Sequence, residues 1–345
     1  MKNRTRAALI PMEVKNDIAT CEPLSGKTRA IQDPVYEIGG YAFRRADIDI
    51  ALYLGYNAED LKLFDKFRDP NARPQKGFIS DIMGIRTRTS SLWESAQTLD
   101  GQLLGYPVPG SYHAETIEWL GLVKTVLSAK SRYIAMELGA GYGPWIVAGA
   151  VLARLLGIQD IHLTGVEGDP EHCRCMCQHV IDNGFNPDEH ALHEAAVGAE
   201  AGEALWPTVA NSLSEAHWGF RPIPTSGGDY MGRHFDKMHR VRVLAMADLV
   251  QTQARWDMVH IDIQGHEYDV CYASLADLND RVKWLIISTH SRKIDGDLLD
   301  LFTRAGWVLE HEKPARFTFW PNPVSLEAMT TIDGTQVWQN PRLAG

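Results

Sequence analysis

The chain has 345 residues, of which 45% are apolar and 23% charged, and this ordinary globular composition excludes disordered, collagen-like and low-complexity classes. Its formal net charge of −10 provides no basic surface, so we expect neither nucleic acid nor a membrane as a partner. The sequence has no apolar run of about 18 residues and no secretory signal, and its five cysteines lack disulfide spacing, which predicts a reduced, cytoplasmic protein.

The N-terminal part is predicted to precede the main domain. Residues 1–30 are polar and interrupted by prolines, which indicates a flexible arm. From Tyr41 to about Asp69 the apolar residues have helical spacing, so residues 31–128 are interpreted as an N-terminal helical cap. Its last helix is predicted to begin after Ser111, a suitable N-cap residue.

From about residue 129, strand-like apolar runs alternate with helical segments. The runs are "RYIAMEL", "IHLTGVE", "HALHEAAVG", "RVRVLA", "WDMVHIDIQ", "KWLIISTH" and "WVLEHEK". This alternation predicts an α/β fold with a doubly wound, Rossmann-like, mostly parallel sheet. The domain is predicted to span 129–320, with an insertion at 207–238 and a C-terminal extension at 321–345.

Four predicted strands end in polar residues. Glu137, Glu167, Asp262 and His290 each lie at the carboxyl end of a strand. Since parallel strands present these ends at one edge, and ligands bind beyond that edge, we expect a site there.

The turn after the first strand, "ELGAGYG", is rich in glycine. It lets a ligand approach the backbone, and its residues are Gly139, Ala140, Gly141 and Gly143. A dinucleotide fingerprint requires glycine at position 144, where this chain has Pro144. The G-x-G-x-G spacing after Glu137 is instead the first motif of class I S-adenosyl-L-methionine (SAM) methyltransferases, and the predicted cofactor is SAM.

The chemistry of SAM suits the acids near this turn. Glu137 is expected to bind its amino group, directly or through water, and Glu167 its ribose hydroxyls. Because NAD folds also use an acid at the position of Glu167, a nicotinamide-dependent oxidoreductase remains an alternative. The predicted cofactor set is completed by Gly168, Ala195, Ala196 and Asp262, with the two alanines near the adenine.

Four segments resemble the FkbM family of SAM-dependent methyltransferases, and the resemblance covers about residues 130–312. They are "MELGAGYGPW" (136–145), "GVEGDPEH" (165–172), "EAAVG" (194–198) and "VHIDIQGHE" (259–267). The sequence departs from the family at Gln264, usually glutamate, and at His266, usually a small residue, which affects the assignment of the base. The resemblance implies the class I methyltransferase fold and methyl transfer to a hydroxyl of a sugar, glycan intermediate or secondary metabolite.

Loss of a proton from an aliphatic hydroxyl requires a base. Asp262 and His266 are the preferred pair, and His290, on the neighbouring strand end, is a second base or an acceptor contact. The predicted substrate-binding residues are Tyr112, His113, Glu115 and Glu267. Tryptophans that offer a stacking surface for a sugar are Trp119, Trp145 and Trp218.

The sequence also contains a candidate metal site and allows a further class of function. Asp262, His266, Glu267 and His290 suit a divalent ion, but no H-E-x-x-H or comparable spacing is present, so no metal site is predicted. A non-catalytic SAM-fold binding module is a further alternative. The expected partner is a small-molecule or glycan acceptor, a homo-oligomer is left open, and the insertion at 207–238 is expected to bind the acceptor or form a lid.

Overall fold

The computed structural model describes residues 35–38, 41–44, 53–223, 229–319 and 321–343. The chain divides into two compact units, Met1–Tyr53 and Leu54–Gly345. In the first unit, β1 (Val35–Ile38) and β2 (Tyr41–Arg44) form an antiparallel hairpin. The predicted flexible arm, residues 1–30, lies outside the described residues.

The described residues of the second unit contain further strands and a set of α-helices. The strands are β3 (Phe78–Asp81), β4 (Arg86–Arg88), β5 (Leu103–Leu104), β6 (Arg132–Leu138), β7 (Asp160–Glu167), β8 (Ala191–Glu194), β9 (Ala196–Gly198), β10 (Gly202–Pro207), β11 (Met238–Ala245), β12 (Met258–Ile261), β13 (Trp284–Thr289), β14 (Val308–Lys313), β15 (Arg316–Phe317), β16 (Thr330–Ile332) and β17 (Gly334–Gln339). The α-helices are α1 (Glu94–Gln97), α2 (Thr116–Ser128), α3 (Pro144–Leu155), α4 (Pro170–Asp182), α5 (Met246–Gln251), α6 (Glu267–Ala273), α7 (Leu275–Arg281) and α8 (Arg292–Arg304). Short 3-10 helices occur at Asp60–Lys66, Thr89–Ser91, Pro187–Glu189, Glu215–His217, Glu327–Met329 and Pro341–Leu343.

The central sheet has the strand order β14-β17-β13-β12-β6-β7-β8. From β8 to β13 neighbouring strands are parallel, whereas β17 is antiparallel to both β13 and β14. Numbered along the chain from β6, this order is 3-2-1-4-5-7-6. A dinucleotide-binding sheet has the order 3-2-1-4-5-6. The inserted antiparallel strand is the arrangement of class I SAM methyltransferases, so the predicted fold class is confirmed.

Apolar side chains cover both faces of this sheet. In β6, Tyr133 and Ala135 pack against a layer formed by α2, α3 and α4, while Ile134 and Met136 pack against α5 to α8. Alternate residues of a strand point to opposite faces, so a strand between two helical layers is apolar throughout. This explains why "YIAM" shows no alternation in the sequence.

A smaller sheet carries the predicted insertion. β11 pairs in parallel with β9 and antiparallel with β10. Residues 207–238 form the connection from the last residue of β10 to the first of β11, and residues 224–228 lie outside the described part. The insertion is therefore the tip of a β-hairpin next to the central sheet.

The prediction of a helical cap at 31–128 is wrong for the described residues. Between Tyr41 and Asp69, where the apolar residues have helical spacing, the described residues form β2 and the 3-10 helix Asp60–Lys66. Strands β3, β4 and β5 form a separate sheet. Helix α2 packs on the central sheet and belongs to the core. Short apolar runs do not distinguish helix from strand by periodicity alone.

Helix α2 also begins later than predicted. Its N-cap is Glu115, which forms a capping box with Glu118. Ser111 instead accepts backbone bonds from His113 and Ala114, at 3.4 and 3.2 Å, in the preceding turn. The same side-chain oxygen that makes serine a good N-cap stabilises a turn here.

The predicted C-terminal extension at 321–345 contains a strand of the central sheet, so the boundary at residue 320 is wrong. β17 lies between β13 and β14 and is almost entirely buried. Because Thr335 and Gln336 are polar, this strand could not be recognised as an apolar run in the sequence. In the structure, the side chain of Gln336 donates a hydrogen bond to the carbonyl oxygen of Asp295 at 2.9 Å. Among the described residues, no helix is long and apolar enough to cross a bilayer.

Candidate active site

A cavity of about 530 Å³ opens at the carboxyl ends of the parallel strands. The four predicted strand-end residues, Glu137, Glu167, Asp262 and His290, all line it. Its volume is in the range of small-molecule and cofactor sites. The tertiary fold thus brings together groups that are far apart in the sequence.

The glycine-rich turn forms one wall of this cavity and requires glycine at its first position. Gly139 has φ +73°, and a Cβ atom there would lie 1.7 Å from the carbonyl oxygen of Asp262. Gly139 and Ala140 both donate their N–H groups to the carbonyl of Val166, at 3.0 and 2.9 Å. Any larger residue would push the turn away from the end of β12.

The remaining glycines of the turn have different positions. Gly141 lines the cavity together with Gly139 and Ala140. Gly143, predicted as part of the same set, is instead the left-handed N-cap of α3, with φ 72°. It shapes the entry into the helix, and the cavity wall is formed by its neighbours.

Glu137 connects β6 to the first turn of α3. Its Oε2 accepts hydrogen bonds from the backbone N–H groups of Trp145 and Ile146, at 3.1 and 2.9 Å. These are orphan donors at a helix N-terminus, where a carboxylate is favourable. Burial raises the pKa of Glu137 well above its usual range. Because Oε2 accepts both bonds, Oε1 remains for a ligand in the cavity.

Glu167 is fixed in a similar way at the end of β7. Its Oε2 accepts from Gly141 N and its Oε1 from Asp169 N, both at 2.7 Å. Burial raises the pKa of Glu167 above its ordinary value. Gly168, Ala195 and Ala196 also line the cavity, so the predicted cofactor residues other than Gly143 lie on its walls.

The insertion covers this part of the cavity. Trp218 stacks on His172 with ring centroids 4.0 Å apart and an interplanar angle of 9°. Ser212 donates to Asp169 Oδ2 at 2.8 Å, and its carbonyl lies 2.9 Å from His172 Nε2. A Cβ on Gly141 would lie 3.3 Å from the Trp218 ring. The insertion therefore provides an aromatic wall directly above the glycine-rich turn.

Beyond the adjoining ends of β12 and β13, three ionisable groups meet at the cavity. Glu267 Oε1 lies 2.9 Å from His290 Nδ1, and His290 Nε2 lies 3.3 Å from Asp262 Oδ1. Glu267 Oε1 also accepts from the backbone N–H groups of Ile263 and Gly265, at 3.1 and 2.9 Å. The Glu267 side chain is fully buried, whereas that of Asp262 is 35% exposed, toward the cavity.

The proximity of these groups changes their pKa values. Burial raises the pKa of Asp262 to about 7, against the opposing charge of His290. Burial would lower the pKa of His290, but the carboxylates of Glu267 and Asp262 outweigh it and raise that pKa to about 10. For Glu267, burial acts to raise the pKa, but the charge and hydrogen bond of His290 lower it overall. The three side chains therefore titrate as one coupled group.

Several predicted acceptor-side residues lie elsewhere. His266 does not line this cavity; its Nδ1 lies 3.9 Å from Asp269 on the exposed side of α6, so the predicted pairing of Asp262 with His266 is replaced by Asp262 with His290. Glu267, predicted to contact substrate, lies beneath the cavity surface. Tyr112 contacts Tyr142 behind the cavity, with hydroxyl oxygens 3.4 Å apart, and Glu115 forms an ion pair with Lys313 at 2.5 Å. His113 does line the cavity, and burial lowers its pKa to about 3.

The tryptophans proposed for stacking separate into two groups. Trp145 and Trp218 line the cavity, and Trp145 stacks on His260 with centroids 5.1 Å apart. Trp119 is 4% exposed and donates its indole N–H to Ser111 at 3.2 Å, behind the cavity.

Sequence reasoning missed several cavity residues. Glu118 lies in α2, and its Oε1 accepts from Ser288 at 3.2 Å; Asp333 precedes β17 and lies 3.9 Å from His290 Nε2. His260 lies in β12 two residues before Asp262, which follows the strand, and that two-residue spacing was an available signal. Asp333 had no signal, because β17 was not recognised as part of the sheet.

Comparisons with known proteins give one clear relative. A protein of Jannaschia sp. (strain CCS1) described as "Putative methyltransferase" is 29% identical over 280 residues, covering 81% of this chain and 98% of that protein. No family model matches the chain, so the expected FkbM membership is not shown.

Solved structures give weaker likenesses. The precorrin-6y C5,15-methyltransferase of Geobacter metallireducens GS-15 has a TM-score of 0.36 at 9% identity, over 65% of this chain and 88% of that chain. The methyltransferase FkbM of Methylobacillus flagellatus KT has a TM-score of 0.35 at 11% identity, over 60% of this chain and 44% of that chain. At these scores neither structure bears on the activity.

The strand order and the relative therefore agree on the type of protein. The described domain has the class I methyltransferase fold, and its relative over four-fifths of the chain is described as a methyltransferase. The cofactor that this fold and this relative indicate is S-adenosyl-L-methionine, as predicted.

Proposed function

We propose that this protein is a SAM-dependent O-methyltransferase that acts on a hydroxyl of a sugar, glycan intermediate or secondary metabolite, as in the FkbM family. The proposal depends most on one observation: Asp262 and His290 line the same cavity as the glycine-rich turn. A base and a cofactor turn that line one cavity are what methyl transfer to an oxygen requires.

The cofactor wall, formed by the glycine-rich turn with Glu137 and Glu167, fits SAM. Backbone at Gly139 and Gly141 is accessible, Glu137 offers a carboxylate oxygen for an amino group, and Glu167 is fixed by two backbone bonds with lone pairs left for ribose hydroxyls. When bound, SAM supplies a methyl group on a sulfonium sulfur, so the S–C bond breaks as an O–C bond forms and S-adenosylhomocysteine remains.

The acceptor wall is formed by the side chains of Asp262 and His290. There Asp262 takes the proton of the acceptor hydroxyl. Its carboxylate is part-exposed to the cavity and held by a hydrogen bond from Gln264 Nε2 at 2.9 Å. His290 is fixed behind it by Glu267, which accepts from Nδ1 and so sets which ring nitrogen faces Asp262. Asp262 is therefore the catalytic residue, and Glu267 is a positioning residue.

The walls of the cavity suit a polyhydroxylated acceptor. Glu118, His113 and Asp333 provide acceptors for several hydroxyl hydrogens, and the rings of Trp93 and Trp218 provide apolar faces. Sugars have both kinds of surface, since their C–H faces stack on aromatic rings while their hydroxyls need polar partners.

The test begins with titration calorimetry of S-adenosylhomocysteine against the full chain, where we expect micromolar binding. Labelled SAM with a library of sugars, glycan intermediates and natural-product alcohols then identifies the acceptor. With that acceptor, Asp262→Asn should lower kcat by about 10²–10⁴-fold while the affinity for S-adenosylhomocysteine changes by less than about threefold.

A matched control is Asp269→Asn, which neutralises an exposed carboxylate on the same segment and should leave both quantities unchanged. Tight NADH binding without S-adenosylhomocysteine binding would instead establish an oxidoreductase. Cofactor binding with no methyl transfer to any hydroxyl, amine or carbon acceptor would establish a binding module.

A further inference from the structure

His290 has a buried nitrogen without a hydrogen-bond partner. Its side chain is 5% exposed, and Nε2 accepts or donates no hydrogen bond among the described residues. Buried polar atoms are normally paired, and an orphaned one requires an explanation. Its other nitrogen, Nδ1, is firmly held by Glu267, so the ring cannot turn to relieve Nε2.

Two carboxylates face this nitrogen. Asp262 Oδ1 lies 3.3 Å from Nε2 and Asp333 Oδ2 lies 3.9 Å from it. Together with Glu267, the group contains three carboxylates and one imidazole. Among the described residues none of the three carboxylates pairs with lysine or arginine, so one imidazole faces three carboxylates and negative charge is in excess even with that ring protonated.

We propose that His290 Nε2, Asp262 and Asp333 bind a divalent transition-metal ion, with Glu267 orienting the imidazole. A histidine ligand commonly donates its other ring N–H to a carboxylate, and the Glu267–His290 bond is that interaction. Ligand atoms about 2.1 Å from a metal are about 3.0 Å apart when adjacent and about 4.2 Å apart when opposite. The distances from His290 Nε2 to Asp262 Oδ1 and to Asp333 Oδ2 both lie between these limits.

The predicted absence of a metal site rested on linear spacing, which this site does not use. Its ligands come from the ends of β12 and β13 and from the residue before β17, neighbouring strands that are distant in sequence. One nitrogen and two carboxylates, with the remaining positions open to the cavity, suit Mn²⁺ or Zn²⁺.

The role assigned to the ion rests on the proposed function. An ion at this point would bind the acceptor hydroxyl through its open positions and make it more acidic, while Asp262 keeps its second carboxylate oxygen for the proton. The acceptor would then have adjacent oxygens that chelate the ion, as vicinal hydroxyls do.

The test uses the full chain after treatment with chelator, titrated with Mn²⁺ alone. Calorimetry should detect one site per chain with a Kd below about 100 μM, and electron spin-echo spectroscopy should detect nitrogen coupling from one imidazole. Asp333→Asn, at a side chain that is 58% exposed and therefore safe for folding, should weaken binding at least about tenfold. Glu267→Gln should weaken it about 10- to 100-fold while the ligands remain.

His290→Gln should abolish the nitrogen coupling, and Asp269→Asn should change neither measurement. The inference is wrong if millimolar Mn²⁺ and Zn²⁺ give no binding, if Asp333→Asn binds as tightly as the wild type, or if the bound Mn²⁺ has no imidazole coupling. It is also wrong if the site binds a simple primary amine and no metal.

Titration with S-adenosylhomocysteine on the same samples separates the two proposals. Cofactor binding without Mn²⁺ binding leaves the methyltransferase proposal intact and removes the metal. Mn²⁺ binding without cofactor binding would support the metal site and contradict the methyltransferase proposal.

Discussion

The two walls of the cavity hold their charged groups in different ways. On the cofactor wall, the carboxylates of Glu137 and Glu167 each accept two backbone N–H bonds, Glu137 from the first turn of α3 and Glu167 from Gly141 and Asp169. On the acceptor wall, the side chains of Asp262, Glu267 and His290 also contact one another across two strand ends, and His290 Nε2 has no hydrogen bond among the described residues. The carboxylates of the cofactor wall are therefore anchored by backbone donors, whereas the acceptor wall has a buried nitrogen without a partner among the described residues.

This difference predicts how changes on the two walls act. Unsatisfied buried groups cost stability, so they are retained where a ligand completes them. We therefore expect changes on the cofactor wall to affect S-adenosylhomocysteine binding and changes on the acceptor wall to affect turnover.

The largest expected effect is at Gly139, where the cofactor wall packs against the carbonyl oxygen of Asp262. Gly139→Ala places a Cβ within 1.7 Å of the Asp262 carbonyl, at φ +73°, and should destabilise the protein by about 3–5 kcal/mol. Denaturant unfolding measures this. Gly296→Ala, in an exposed part of α8 with no atom near the new methyl group, should stabilise by about 0.5–1 kcal/mol. Equal effects of the two variants would show that the walls are not in contact.

Next in size is a change confined to the cofactor wall. Glu167→Gln loses a charged acceptor and should weaken S-adenosylhomocysteine binding about 10- to 100-fold, measured by calorimetry, while kcat at saturating SAM stays within about twofold. Glu171→Gln, which removes the charge of a half-buried carboxylate in the first turn of α4, should leave the affinity unchanged. A fall in kcat with unchanged affinity for Glu167→Gln would contradict the division between the walls.

A smaller effect concerns the stability of the cofactor wall in acid. Burial lowers the pKa of His179 to about 4, and its ring lies 3.1 Å from the carbonyl of Tyr142 in the glycine-rich turn. Below about pH 6.5 the unfolded chain takes up a proton that the folded state does not, so stability falls as the pH drops from about 6.5 to about 4. In His179→Gln this loss should be smaller by about 1–3 kcal/mol. Parallel pH profiles for the two proteins would exclude His179 as a cause.

The smallest expected effect is at His266. Because its side chain lies outside the cavity, His266→Ala should change kcat/KM by less than about twofold, in contrast to the large loss for Asp262→Asn. Steady-state kinetics with the identified acceptor measure both. A loss of about 100-fold or more in His266→Ala would restore the Asp262–His266 pair that the sequence suggested.

Much of the domain could be predicted because its information is local. The alternation of strands and helices, the glycine-rich turn and the acids that end β6 and β7 are visible in single segments of the chain. Hydrophobic periodicity and turn residues are determined over a few positions, so they can be recognised without knowledge of the fold.

Other features could not be predicted because they depend on which strands are neighbours. β17 carries buried polar residues and is recognisable only once it lies between β13 and β14. The early segment near Asp60 has helical spacing, yet it forms a 3-10 helix that packs against α2.

By itself, the sequence determined the α/β class, the glycine-rich turn and the presence of Asp262 and His290 at strand ends. Only the tertiary structure decided that His290 rather than His266 lies beside Asp262, that Glu267 is buried beneath them and that Asp333 completes the group. The physical reason is the strand order: β12, β13 and β17 are neighbours in the sheet, and no interaction within a single segment specifies that arrangement.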